Sequence, residues 1–182
     1  METSVDVEKS LWHVDTAHSS IEFSVSHMVI SEVTGHFRSF KGIVTTESDD
    51  FVTAKIELTI EAASIDTNNE SRDNHLRSSE FLDVIKHPQI TFKSAFITRL
   101  SGTGYSITGD FTVRGVTKRI ILNARHNGTV IDPAGNTRAG FKVTGELNRK
   151  DFGVNWHKTL DSGGLVAGDI LTVTANMEIV HS

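Results

Sequence analysis

The sequence predicts an all-β protein, a sandwich or closed barrel of antiparallel strands. Three observations carry this. Apolar and polar residues alternate with a period of two along most of the chain, clusters of turn-forming residues separate the alternating runs, and a single stretch in the middle breaks the pattern. Strands that bury one face and follow one another through short turns pair antiparallel. Seven or eight in one domain form a sandwich or a barrel, and closure removes exposed edges.

The runs follow in order. "SIEFSVSH" sets Ile21, Phe23, Val25 and His27 in one phase, and "HFRSFKGIVT", with Phe40, comes next. In "FVTAKIELTIEA", Val52, Ala54, Ile56, Leu58, Ile60 and Ala62 share a face opposite Thr53, Lys55, Glu57, Thr59 and Glu61. "QITFKSAFITRL" aligns Ile90, Phe92, Ser94, Phe96 and Leu100, and the next run aligns Tyr105, Ile107, Gly109, Phe111 and Val113. The last three faces are Ile120, Leu122 and Ala124; Phe141, Val143, Gly145 and Leu147; and Leu171, Val173, Ala175, Met177 and Ile179. "LSGTG", "RGV" and "DPAGN" supply the residues of tight turns.

The break lies between Ser64 and Ser94. Thr67 and Glu70 fit a capping box, which predicts a helix from about Asn68. Asp73 and Arg77 are spaced to pair along it. "SEFLDVI" predicts a second helical turn that buries Phe81 with Ile85 and ends before Pro88. One or two short helices are therefore expected at about residues 68–86. Arg72, Asp73, His75 and Arg77 crowd this segment. Arginine does not deprotonate and Asp73 has arginines for partners, so the cluster reads as a charged pin rather than a catalytic site.

Composition narrows the function. A chain of 182 residues is expected to form a single domain, residues 1–182, with a buried core. A formal charge of −5 argues against a general nucleic-acid binder. The absence of cysteine excludes disulfides and thiolate chemistry. "METSVDVEKSLWHVD" lacks the pattern of a secretory leader, and no apolar run is long enough for a spanning helix. A cytoplasmic location without membrane insertion is expected. His13 and His18 are spaced to opposite strand faces and no H-x-x-x-H pair occurs, so no metal is expected. "GTG" and "SGGLVAG" lack the strand-then-helix setting of a phosphate loop and read as turns.

"WHVDTAHSSIEFSVSHM", "GHFRSFKG", "SIDTNNESRDNHLRSSEFLDVIKHPQITFKS", "GDFTVRGVTK" and "LNRKDFG" together resemble the YceI-like family. The resemblance covers Trp12 to Val180 and is weak in "VNWHKTLDSGGLVAGD". It implies an eight-stranded antiparallel lipocalin-like β-barrel over about residues 12–180. It also implies a non-enzymatic role: binding, carriage or storage of a long-chain isoprenoid lipid of polyprenyl phosphate or quinone type, with no other cofactor. The expected ligand-lining residues are Phe23, Val25, His27, Phe40, Ile56, Leu58, Phe92, Phe96, Ile107, Gly109, Phe111, Leu122, Phe141, Gly145, Leu147, Trp156 and Met177. Small residues such as Gly109 and Gly145 either open volume or fit the taper of a packed barrel. His27 either meets a polar lipid head or is a core histidine bonded to a carbonyl. Trp156 is a lid residue or a loop anchor. Two other readings stay open: an enzyme acting on a lipid or other small apolar substrate with His27 as acid or base, and a solidly packed interaction module. Barrels of this kind can pair through outer strand faces, so a homodimer is also expected.

Overall fold

The computed structural model describes residues 8–161 and 166–182. The first seven residues of the segment read for a leader, and most of the "SGGLVAG" turn, at 162–165, lie outside the described residues. The elements are β1 (Ser10–Val14), β2 (Ser20–His27), β3 (Ser31–Phe37), β4 (Phe40–Thr46), β5 (Lys55–Glu61), β6 (Ile65–Asp66), α1 (Glu70–Arg77), β7 (Gln89–Arg99), β8 (Gly104–Val113), β9 (Val116–Ile131), β10 (Thr137–Asn148) and β11 (Ala167–His181). No helix among the described residues is long and apolar enough to cross a membrane.

Every pairing is antiparallel. The ring runs β1, β4, β5, β7, β8, β9, β10, β11 and back to β1, an eight-stranded closed barrel as the family resemblance implies. β1 closes it, with Trp12 opposite His181 on one side and Val44 on the other. This short strand has no clear alternation of its own. β2 continues β1 along β11, and β3 continues β4 along β2, so each pair acts as one long bent strand. The run "HFRSFKGIVT" is thus broken after Phe37, not continuous.

Two clusters fill the ends. At one end Trp12, Val44, Phe51, Tyr105, Ala139 and Ile179 pack together. Phe51 was expected in a strand. Instead Phe51–Thr53 is a single 3-10 turn, because the Asp50 carboxylate accepts from the Val52 N–H and caps it. At the other end, here the helix end, Ile60, Ile90, Val113 and Phe152 pack against Leu82 and Val84 from the chain after α1.

The helix itself departs from expectation at its start. Asn69, not Thr67, is the N-cap, accepting from the Arg72 N–H at 3.0 Å. Thr67 is buried; its N–H and hydroxyl both donate to Asp73 Oδ1, at 2.9 and 2.6 Å. Arg72 donates to the Thr67 hydroxyl and carbonyl, at 2.7 and 2.8 Å. Arg77 does not pair with Asp73. It reaches the carbonyls of Ala63 and Ile65, at 2.8 and 2.9 Å. The charged pin exists, with different partners. The second helical turn does not form. Residues 78–88 make turns, Leu82 and Val84 face the barrel, and Ile85 stands in solvent.

β7 carries a bulge. Ser94 lies opposite Gly109 and Phe96 opposite Thr108, which leaves Ala95 unmatched and flips the strand's phase. The Ser94 hydroxyl accepts the Ile56 N–H at 2.8 Å. Phe96, expected inside, is therefore outside and 57 % exposed, and Ile97 takes the inward place.

Candidate functional site

Between the two end clusters lies a cavity of about 200 Å³. Apart from wall contacts at Glu22, Glu57 and Thr174, its lining is aliphatic and aromatic. Glu22 is engaged by His36 at 2.7 Å. The phase reading places most of the lining. Phe23, Ile56, Leu58, Phe92, Ile107, Phe111, Leu122, Phe141, Leu147 and Met177 all reach the cavity, contributed by seven strands. Ala54, Ala124 and Ala175 sit among them, and their small side chains leave the volume.

Seven expected residues are not in the lining, for identifiable reasons. Phe96 is turned out by the bulge. Val25 and His27 keep the phase of Phe23 but lie beyond the cavity, where β2 runs past it between β3 and β11. Phe40 packs into the cluster at the helix end. Gly109 and Gly145 do not open space. A Cβ on Gly109 would lie 2.5 Å from both Phe92 Cζ and the Lys93 carbonyl oxygen, and one on Gly145 would lie 2.5 Å from Leu122 Cδ2. Each glycine admits a neighbour's side chain instead. Trp156 stands outside, its ring 5.2 Å from that of Phe81 and 5.5 Å from that of His75.

Val14, Phe37, Val44, Phe51 and Ile97 line the cavity without having been foreseen. Val14 and Ile97 were hidden by a short strand and a bulge. Phe51 follows Asp50, and a capping aspartate before an apolar residue was the available signal.

The helix end is fastened by a buried cation. Arg149 follows β10 and is 7 % exposed. It donates to the carbonyls of Gly168 (2.8 Å), Val154 (2.9 Å) and Trp156 (2.6 Å) and pairs with Asp169 at 3.2 Å. Burial lowers its guanidinium pKa, and Asp169 opposes this. The strap bearing Trp156 is thereby tied to β11, and its ring rests on Phe81, whose carbonyl accepts from Arg114.

A polar cluster on the outer wall joins the first and last strands. Asp15, His18 and Glu178 gather as metal ligands would. Arg138 already supplies the cation: its Nη1 is 2.6 Å from Asp15 and 2.7 Å from Glu178, and its Nε is 2.6 Å from Asp132. Arg138 and His18 hold the Asp15 carboxyl down at about 2, and Arg138 depresses Asp132 further.

A closed antiparallel barrel with an apolar interior defines the lipocalin-like class, which at eight strands is just wide enough for one ligand. The YceI-like domain profile matches residues 12–179, and the chain belongs to that family. A UPF0312 protein of Staphylococcus aureus is 36 % identical over 165 residues, covering 90 % of this chain and 94 % of its own. A UPF0312 protein of Pectobacterium carotovorum is 44 % identical over 137 residues, covering 75 % of this chain and 71 % of its own. The crystal structure of a Campylobacter jejuni YceI protein superposes with a TM-score of 0.75 at 28 % identity, over 86 % of this chain and 90 % of its own. A Saccharophagus degradans structure described as a polyisoprenoid binding domain shares the fold, with a TM-score of 0.66 at 14 % identity over 94 % of this chain and 98 % of its own.

Proposed function

We propose that this barrel binds and carries or stores a long apolar lipid without chemistry, an isoprenoid chain of polyprenyl phosphate or quinone type. The observation that carries the reading is the almost wholly apolar cavity inside the closed barrel. Drug-sized sites measure about 300–1,000 Å³, so a cavity of about 200 Å³ suits a slender chain better than a ring system. Each buried CH₂ contributes about 0.8 kcal/mol and asks for no hydrogen-bond partner, which matches a wall with almost no polar groups. The polyisoprenoid-binding description of the Saccharophagus domain points the same way. An enzyme built on His27 has less support, since that residue is outside the lining.

Native mass spectrometry of protein purified from lipid-rich cells tests the proposal. An adduct with an isoprenoid mass is the expected result. Its repeated absence, with the barrel folded, would overturn the reading.

A further inference from the structure

The turn between β2 and β3 is built against its own residues. Met28 and Val29 have φ values of +48° and +67°, and the Ile30 N–H closes the turn on the His27 carbonyl at 3.2 Å. Two left-handed residues in succession form the hairpin turn that Asn-Gly ordinarily fills. A β-branched residue in that region is a genuine outlier. Packing does not explain the choice: Val29 is 70 % exposed and Ile30 83 %. The chain accepts strain in order to hold apolar side chains in water. Such a conflict between local preference and structure marks a functional surface.

Shape and place select the partner. A stable protein interface buries about 800 Å² on each side, whereas this hairpin turn offers three exposed apolar side chains. A fluid apolar phase needs no matching pocket, and a bilayer interface is such a phase. The tip also stands at the helix end. The Met28 N–H donates to the Val166 carbonyl at 2.9 Å, and the Val166 N–H to the Lys158 carbonyl at 2.8 Å. This is the strap whose Trp156 rests on Phe81, and Ile85, 93 % exposed, lies four residues beyond Phe81.

We infer that Met28, Val29 and Ile30 form a membrane-entering tip that sets the helix end of the barrel on a lipid bilayer. The purpose of such docking rests on the lumen reading above; the docking itself does not, and is measured with protein free of cargo.

The experiment is flotation with phosphatidylcholine vesicles, and with the same vesicles containing phosphatidylglycerol. Wild type floats with both. The double variant Met28→Asn, Val29→Gly suits the left-handed backbone, so its thermal midpoint should rise while vesicle affinity falls about tenfold or more. Ile30→Ser keeps the turn's φ pattern and should also weaken flotation. The proposal is overturned if wild type stays at the bottom, or if the variants float as wild type does. It is equally overturned if flotation needs phosphatidylglycerol and ignores the variants, or if the variants change only self-association. Missing lipid adducts alongside normal flotation would count against the lumen reading alone.

Discussion

One carboxylate oxygen of Asp73 accepts both the backbone N–H and the hydroxyl of Thr67, so a single buried side chain ties α1 to the chain just after β6. Hydrogen bonds to charged groups are each worth about 1.5–3 kcal/mol. Asp73→Ala also leaves the Thr67 donors buried without a partner. It is expected to destabilise the barrel by about 2–3 kcal/mol, read from urea unfolding. Amide exchange between residues 65 and 77 should accelerate before the strands do. Equal loss of protection everywhere would show that the helix is not a separate plug.

Acid should loosen the seam around Arg138. The Asp15 carboxyl lies at about 2 in the folded protein, below its ordinary 3.8. A depressed carboxylate contributes stability that is present above the unfolded value and lost as pH falls through the folded one. The thermal midpoint should therefore drop between about pH 4 and pH 2. Arg138→Met removes the partner and should flatten that slope. His18 acts with the opposite sign, its pKa being raised by Asp15, but it is largely exposed and contributes little.

The bulge in β7 makes a sharp pair of expectations. Phe96→Ser should leave stability within about 0.5 kcal/mol of wild type. Ile97→Ala, one residue on, should cost about 2 kcal/mol or more. Chemical denaturation distinguishes them, and the reverse order would put the strand in the other phase. Phe96 and Ile121 flank Thr108 on this outer face. If two barrels pair there, Phe96→Ser with Ile121→Ser gives a monomer in sedimentation.

Blocking the lumen calls for a residue whose side chain leaves space. Ala175 lines the cavity directly. Ala175→Phe is expected to abolish the lipid adduct while changing the stability of empty protein by less than the roughly 1–3 kcal/mol of an overpacked core. Gly109→Ala should behave differently, because its Cβ meets the Lys93 backbone as well as Phe92. It should destabilise the barrel with or without ligand. An adduct retained by Ala175→Phe would place the ligand elsewhere.

Much of the barrel was legible because the period of two is imposed by burial on one face, and Ile56, Leu58, Phe111 and Phe141 obey it. What escaped depends on backbone events that leave no mark on hydropathy. An unmatched Ala95 reverses every side chain after it, and no count of apolar residues signals that. Asn69 and Thr67 both satisfy a capping rule, and only packing around Asp73 decides between them. Gly109 and Gly145 are inward in phase, as read. Whether an inward glycine makes a void depends on which neighbour leans over it, a fact of three dimensions.

The ring closes where β1, near the start of the chain, meets the end of β11 through Trp12 and His181. A ribosome delivers β11 long after β1. Until β11 emerges, the nascent sheet has two open edges, and Trp12 waits without the strand that will cover it. Contacts so far apart in sequence are slow to form, and unpaired edges aggregate while they wait. Circular permutation joining the old termini and opening the chain at the β9–β10 turn would make that seam local. Such a chain should refold faster and aggregate less, with the same lumen.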